Sequence, residues 1–275
     1  MPTLQIDDGQ DLYYSWSPAG DGPILLFIHG LGSSNSFYAS IIPGLVQRGF
    51  SCLAFDIPGS ALSTYRGRHS DGEAICGAAV ALITALELDA KHIIAVGHSM
   101  GAMIASEIAL LRLSILGVVL IGPVNPSAAL ADVFDARIQL VESEGIEGVA
   151  NVVPFAATGP KATATAKAFI RALLLAQTTE GYKSLCRTIA SAKRPRYEDI
   201  HCPLLIIAGS HDKTAPLTGA RDILNSWGVE AGLKRIEILA DVGHWHCIEA
   251  AAEVEALVGV FVEGIRVTVG ETKQI

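Results

Sequence analysis

Short apolar runs that alternate with longer stretches of helical spacing constrain this chain more than any other feature. Ile24 to Ile28 is continuously apolar, and so is Cys52 to Phe55. His92 to Val96, Val118 to Ile121, Leu204 to Ala208 and Ile236 to Leu239 repeat the pattern. A strand that is apolar at every position has no solvent face, so it belongs in a parallel sheet covered by helices. Leu12 to Trp16 reads as an earlier strand, followed by the turn Gly20-Asp21-Gly22-Pro23. Between the runs, Ala74, Ile75, Ala78, Ala79, Leu82, Ile83 and Leu86 share one helical face. Near the end, Ile248, Ala251, Val254, Leu257, Val258 and Phe261 share another. Strand–helix alternation of this kind predicts an α/β chain with a doubly wound sheet.

One region breaks the alternation. From 125 to 196 no strand pattern occurs, while Val133 to Glu144, Ile146 to Val153, Ala162 to Ala176 and Glu180 to Ala192 have helical spacing. Pro123 and Pro126 flank the segment on one side and Lys193-Arg194-Pro195-Arg196 on the other. The expectation is a core domain made of 1–124 and 197–275, with 125–196 inserted as a helical cap. Such a cap belongs over the carboxyl edge of the sheet, where open α/β folds bind their ligands.

Bulk composition narrows the function classes. Half of the 275 residues are apolar and 17% are charged, enough to bury a large core. A net charge of −8 supplies neither the basic face of a nucleic-acid binder nor a stripe for anionic membranes. The longest uncharged stretch, Leu113 to Ala131, is interrupted by Gly117, Gly122, Pro123, Asn125 and Pro126. It reads as a strand and a turn, not a membrane span. The N-terminal MPTLQIDDGQ has early acidic residues and no apolar centre, unlike a signal peptide. Cys52, Cys76, Cys186, Cys202 and Cys247 are scattered without CxxC spacing, which suits a reducing compartment. A cytoplasmic protein with no nucleic-acid or membrane partner is expected.

The chemistry concentrates at Gly97-His98-Ser99-Met100-Gly101, a G-x-S-x-G match. Three fixed residues in five recur by chance, so context decides. Here a strand runs directly into the motif and a helical pattern, Ala102 to Leu111, follows it. A nucleophile on a sharp strand-to-helix turn needs small neighbours, which Gly97 and Gly101 supply. The turn sets the Met100 N–H at a helix N-terminus, where it can face a developing oxyanion. His29-Gly30-Leu31-Gly32 follows the strand Ile24 to Ile28 and makes Leu31 the second candidate oxyanion donor.

A serine nucleophile needs a base, and the base an orienting carboxylate. His244, in Asp241-Val242-Gly243-His244-Trp245-His246, follows a strand and precedes the last helix. His246 competes with it; Gly243 favours His244 by allowing close approach. Asp212 ends Ala208-Gly209-Ser210-His211-Asp212 at another strand's carboxyl end. The order Ser99, Asp212, His244 is that of a strand–elbow–helix hydrolase. The alternative carboxylate position, after Val118 to Ile121, reads Gly122-Pro123-Val124-Asn125 and holds none. Asp56 precedes the serine and reads as a loop anchor through backbone hydrogen bonds. No ligand set at zinc spacing accompanies His244, His246 and Cys247, and no G-x-G-x-x-G follows the first strands, so neither metal nor cofactor is expected.

With these residues in place, the chain resembles the capped, small-molecule group of α/β-hydrolases. The resemblance runs from His29-Gly30-Leu31-Gly32 through Phe55-Asp56-Ile57-Pro58-Gly59 and the elbow to Gly243-His244. Within that group it is most similar to 3-oxoadipate enol-lactonases and related fungal hydrolases. The cap carries this likeness in Phe134-Asp135-Ala136-Arg137-Ile138, Glu144-Gly145-Ile146, Glu180-Gly181-Tyr182 and Cys186. It continues in the strand that begins Cys202-Pro203-Leu204 and leads to Asp212. The resemblance implies an α/β-hydrolase fold, a mostly parallel twisted sheet with helices on both faces and a helical cap. It also implies a triad of Ser99, Asp212 and His244, with Leu31 and Met100 as oxyanion donors. The expected activity is hydrolysis of a small-molecule ester or lactone. The same triad would serve carbon–carbon hydrolysis of a β-diketone or acyl transfer, and the same scaffold a non-enzymatic small-molecule receptor. A carboxylate nucleophile of the epoxide- or haloalkane-hydrolase kind is disfavoured, because Ser99 stands at that position.

Overall fold

The computed structural model describes residues 2–6, 9–67, 71–111 and 113–272, with side chains described as far as 265. In chain order, β1 (Thr3–Gln5), β2 (Asp11–Ser17), β3 (Ile24–Ile28), α1 (Ile42–Gln47) and β4 (Ser51–Phe55) open the chain. Then come α2 (Gly72–Ala85), β5 (Ile93–His98), α3 (Met100–Ile108) and β6 (Ile115–Ile121). Three helices follow without a strand: α4 (Ala128–Ala156), α5 (Ala164–Leu175) and α6 (Thr179–Ala190). The chain ends with β7 (Leu204–Gly209), α7 (Leu217–Ser226), β8 (Lys234–Leu239), α8 (His246–Glu249) and α9 (Ala251–Thr272).

The strands form one eight-stranded sheet in the order β1-β2-β4-β3-β5-β6-β7-β8. β1 pairs antiparallel with β2, and β2 antiparallel with β4; every other pairing, from β4–β3 to β7–β8, is parallel. The apolar runs behave as their composition demands: all residues of β3, β4, β5 and β7 are buried. Taking such side chains out of water stabilises by roughly 1.5–3 kcal/mol each, so these strands anchor the core. β8 corrects the expectation of full burial. It is the edge strand, and Ile238 stays 46% exposed.

Four of the helices start where a short polar side chain takes an orphan N–H. Asp71 caps α2 at Ala74, Ser127 caps α4 at Leu130, Thr163 caps α5 at Ala166 and Thr178 caps α6 at Gly181. α4 is broken at Gly145, whose φ of 70° and ψ of −174° divide it between the two sequence patterns on either side. β1, α1 and α7 are additions that the sequence pattern did not reveal. β1 and α1 are too short for a period to register, at three and six residues. A single terminal helix was expected from Ile248; instead the backbone turns at Ala250, separating α8 from α9.

α4 packs on both α5 and α6, and the three together lie against loops at the carboxyl edge of the sheet. Gln177, between α5 and α6, is buried and reaches across to these loops. Its Nε2 donates to the Ser33 carbonyl at 3.0 Å, and its Oε1 accepts from the Ala61 N–H at 3.4 Å. No helix among the described residues is long and apolar enough to cross a membrane.

Candidate active site

Ser99 sits between β5 and α3 with φ 55° and ψ −115°, a conformation that L residues rarely adopt. Holding it costs of order 1–3 kcal/mol, which the surrounding packing must offset. The two glycines are required by contact. A Cβ on Gly97 would stand 2.1 Å from the Gly101 carbonyl oxygen, and one on Gly101 would stand 2.1 Å from the Ile28 carbonyl oxygen. The elbow is therefore pressed against the end of β3. This brings the loop after β3 beside the serine: a Cβ on Gly30 would lie 2.9 Å from the Ser99 Cβ. Leu31 follows Gly30 in that loop, and Met100 begins α3, whose N-terminus has no side-chain cap.

His244 and Asp212 come to Ser99 from the loops after β8 and β7. The Ser99 hydroxyl lies 2.9 Å from His244 Nε2, positioned to donate to it. On the far side of the ring, His244 Nδ1–H donates to Asp212 Oδ2 at 2.8 Å. The other carboxylate oxygen accepts the N–H groups of Thr214 at 2.9 Å and Ala215 at 2.8 Å. Burial by itself would raise the Asp212 carboxyl. The imidazole of His244, with His246 and the Ala215 N–H, outweighs that and holds it below the ordinary carboxylate value. Asp212 is thus kept as an acceptor for the His244 N–H, which fixes the tautomer that leaves Nε2 free to accept.

The competitor His246 does not face Ser99. It is fully buried behind Asp212, with Nε2 3.9 Å from Oδ2 and Nδ1–H donating to the His244 carbonyl at 2.8 Å. Burial, only partly opposed by Asp212, lowers it to about 4, so it is neutral at pH 7. The vacant carboxylate position after β6 has a steric explanation. A Cβ on Gly122 would fall 2.5 Å from His246 Cε1 and 3.1 Å from Asp212 Oδ2. Asp56 anchors loops as expected, accepting from Asn35 N–H at 2.8 Å, Asn35 Nδ2 at 2.7 Å and Leu62 N–H at 3.1 Å. His29 donates from Nδ1 to the Gly30 carbonyl at 2.8 Å and accepts the Ile57 N–H at Nε2 at 3.0 Å, bracing the loop before Leu31. Among the described residues, no group of three or more His, Cys, Asp and Glu side chains is placed to hold a metal ion.

Two residues at the site escaped sequence reasoning. His98, the variable position of the elbow, stacks on Phe37 at 4.1 Å and donates from Nε2 to the His244 carbonyl at 2.8 Å. Burial, with the nearby imidazoles of His244 and His246, pushes its pKa well down, so it acts as a neutral donor. Glu249 is buried beside the His244 loop. His98 acts on a carbonyl distant in the chain, and Glu249 joins its neighbours Gly243 and Trp245 to the distant Gly159, a link that no spacing marks.

The model of the alpha/beta hydrolase family matches residues 25–257, most of the chain and all of the residues brought together above. The chain belongs to that family. Among relatives of this α/β-hydrolase chain, a non-heme haloperoxidase from Rhodococcus erythropolis is 32% identical over 102 residues, 37% of this chain and 35% of that one. This chain therefore spans about a third of that relative's length. RutD of Escherichia coli, whose name refers to carbamate hydrolysis, is 27% identical over 215 residues, 72% of this chain and 77% of its own. Among solved structures, the enol-lactonase from Burkholderia xenovorans LB400 superposes with a TM-score of 0.84 at 24% identity. That superposition covers 95% of this chain and 100% of the other. At that identity the likeness establishes the α/β-hydrolase fold, with its mostly parallel sheet.

Proposed function

We propose that the protein is a serine hydrolase that cleaves a small ester or lactone through an acyl-enzyme on Ser99. The observation that carries this reading is the unbroken hydrogen-bond chain from the Ser99 hydroxyl through His244 to Asp212, at 2.9 and 2.8 Å. Family membership and the esterase, lactonase and carbamate-hydrolase names among its relatives agree with it.

The proposed steps follow from that chain. Ser99 Oγ attacks the substrate carbonyl as His244 Nε2 takes its proton, and Asp212 holds the imidazolium that forms. The N–H groups of Leu31 and Met100 receive the charge that develops on the carbonyl oxygen. Donors fixed in place before the reaction stabilise that charge without reorganising. Collapse of the tetrahedral intermediate passes the His244 proton to the leaving oxygen. Water, deprotonated by His244, then adds to the acyl carbon and releases Ser99. Ser99 is only 4% exposed, and we assign selection of the acyl or lactone group to side chains of the helical segment 125–196.

A fluorophosphonate probe tests the nucleophile. Wild-type protein is expected to be labelled at Ser99 and the Ser99→Ala variant to remain unlabelled. Equal labelling of the two would overturn the assignment. Product analysis with a panel of lactones, esters and β-diketones then separates ester or lactone cleavage from carbon–carbon hydrolysis.

A further inference from the structure

Glu249 lies outside the chain of groups that activates Ser99, yet it is only 8% exposed and accepts three backbone hydrogen bonds. Its Oε2 takes the N–H of Gly159 at 2.8 Å and that of Gly243 at 2.9 Å. Its Oε1 takes the N–H of Trp245 at 2.9 Å. Gly243 and Trp245 are the residues immediately before and after His244. Gly159 belongs to the segment that joins α4 to α5.

Other contacts join the same two segments. The His244 N–H donates to the Ala157 carbonyl at 2.8 Å, and the Lys161 N–H donates to the Asp241 carbonyl at 3.0 Å. Lys161 also pairs with Glu253. The backbones approach too closely for side chains: a Cβ on Gly159 would stand 2.3 Å from the Asp241 carbonyl oxygen, and one on Gly243 would stand 2.5 Å from the Gly159 nitrogen. Hydrogen bonds from backbone N–H groups to a carboxylate are stronger than neutral ones. Removing the acceptor would strand three buried donors, each costly to leave unpaired. The charge-assisted bonds of the His244 loop thus meet a bond from the segment between α4 and α5 at one carboxylate.

We propose that Glu249 is a positioning residue for His244, clamping 157–161 of the cap and 241–245 of the base loop into one unit. The imidazole then meets the Ser99 hydroxyl only while the cap is seated. This inference rests on the serine-hydrolase reading above, and the tests separate the two.

The second-order rate of fluorophosphonate labelling is measured for wild type, Glu249→Gln and Glu249→Ala, with far-UV circular dichroism to check folding. Displacing a catalytic group by about 1 Å costs on the order of 100-fold. The Ala variant is expected to label about 100-fold more slowly. The Gln variant should lose less, because its amide oxygen still serves two of the three donors. Loss is expected in kcat with little change in KM, and the downfield proton resonance of His244 Nδ1–H should weaken in both variants. A folded Glu249→Gln protein that labels at the wild-type rate with that resonance unchanged overturns the proposal. Unlabelled wild type, or labelled Ser99→Ala, is a failure of the serine reading instead. Hydrogen exchange on the wild type decides the matter even where neither variant folds. The amides of Gly159, Gly243 and Trp245, corrected for intrinsic rates, are expected to open together. A Gly159 amide opening more than about tenfold faster than that of Trp245 overturns the clamp.

Discussion

His246 donates from Nδ1 to the carbonyl of His244 at 2.8 Å, so an imidazole that never faces Ser99 helps hold the one that does. His98 donates to the same oxygen, also at 2.8 Å. Both donors are buried neutral, and that has a consequence for stability in acid. His246 is lowered to about 4 from the ordinary histidine value of 6.5, so the unfolded chain binds its proton first. The stabilisation from keeping it neutral is complete above about pH 6.5 and is lost as pH falls toward 4, amounting to about 3 kcal/mol. His98 shifts in the same direction. Asp212, depressed below the ordinary carboxylate value, contributes above that value and loses its contribution at still lower pH. Urea midpoints are therefore expected to be level above pH 7 and to fall steadily from 6.5 to 4. His246→Asn should flatten part of that slope; equal slopes in the two proteins would count against the account.

The Asp212→Asn variant should fold, because an amide oxygen can still accept the Thr214 and Ala215 N–H groups. Its NH₂ group would then face His244 Nδ1 and favour the wrong tautomer. A fall in the acylation rate of about 10³- to 10⁴-fold is expected, measured by single-turnover release of a chromogenic ester's alcohol.

Gly101 and Gly77 make opposite predictions for the same substitution. Alanine at 101 meets the Ile28 carbonyl oxygen, and overpacking of this kind costs about 1–3 kcal/mol. Alanine at 77 meets nothing within 4 Å, inside α2, where exchange of glycine for alanine stabilises by about 0.5–1 kcal/mol. Thermal melts of the two variants should move in opposite directions.

Gln177→Leu leaves the Ser33 carbonyl and the Ala61 N–H without their cap partner. Each unpaired buried group costs about 1–3 kcal/mol, and the loss falls on the contact between cap and core. Limited proteolysis should cut the variant faster within 125–196 than the wild type, while fragments of the sheet core appear at unchanged rates.

How much of this was legible in advance depended on whether the signal was local. The parallel strands could be read because burial on both faces requires an unbroken apolar run, as in Ile24–Ile28 and Leu204–Gly209. The break at Gly145 could be read because it parts two helical periods, and the elbow because glycines must flank a strained serine. Ser99, Asp212 and His244 each follow a strand, so strand pattern and chain order made them candidates. The choice between His244 and His246 was not local. It depends on which ring the loop after β8 turns toward Ser99, and packing of His246 behind Asp212 makes that choice. The roles of Glu249, His98 and Gln177 were likewise invisible, because each depends on at least one backbone group from a distant segment. Periodicity and motif describe what a residue does to its own element. Only the tertiary structure decides which far-off carbonyl or N–H comes within 3 Å of it, and with that whether a buried polar side chain is a liability or a clamp.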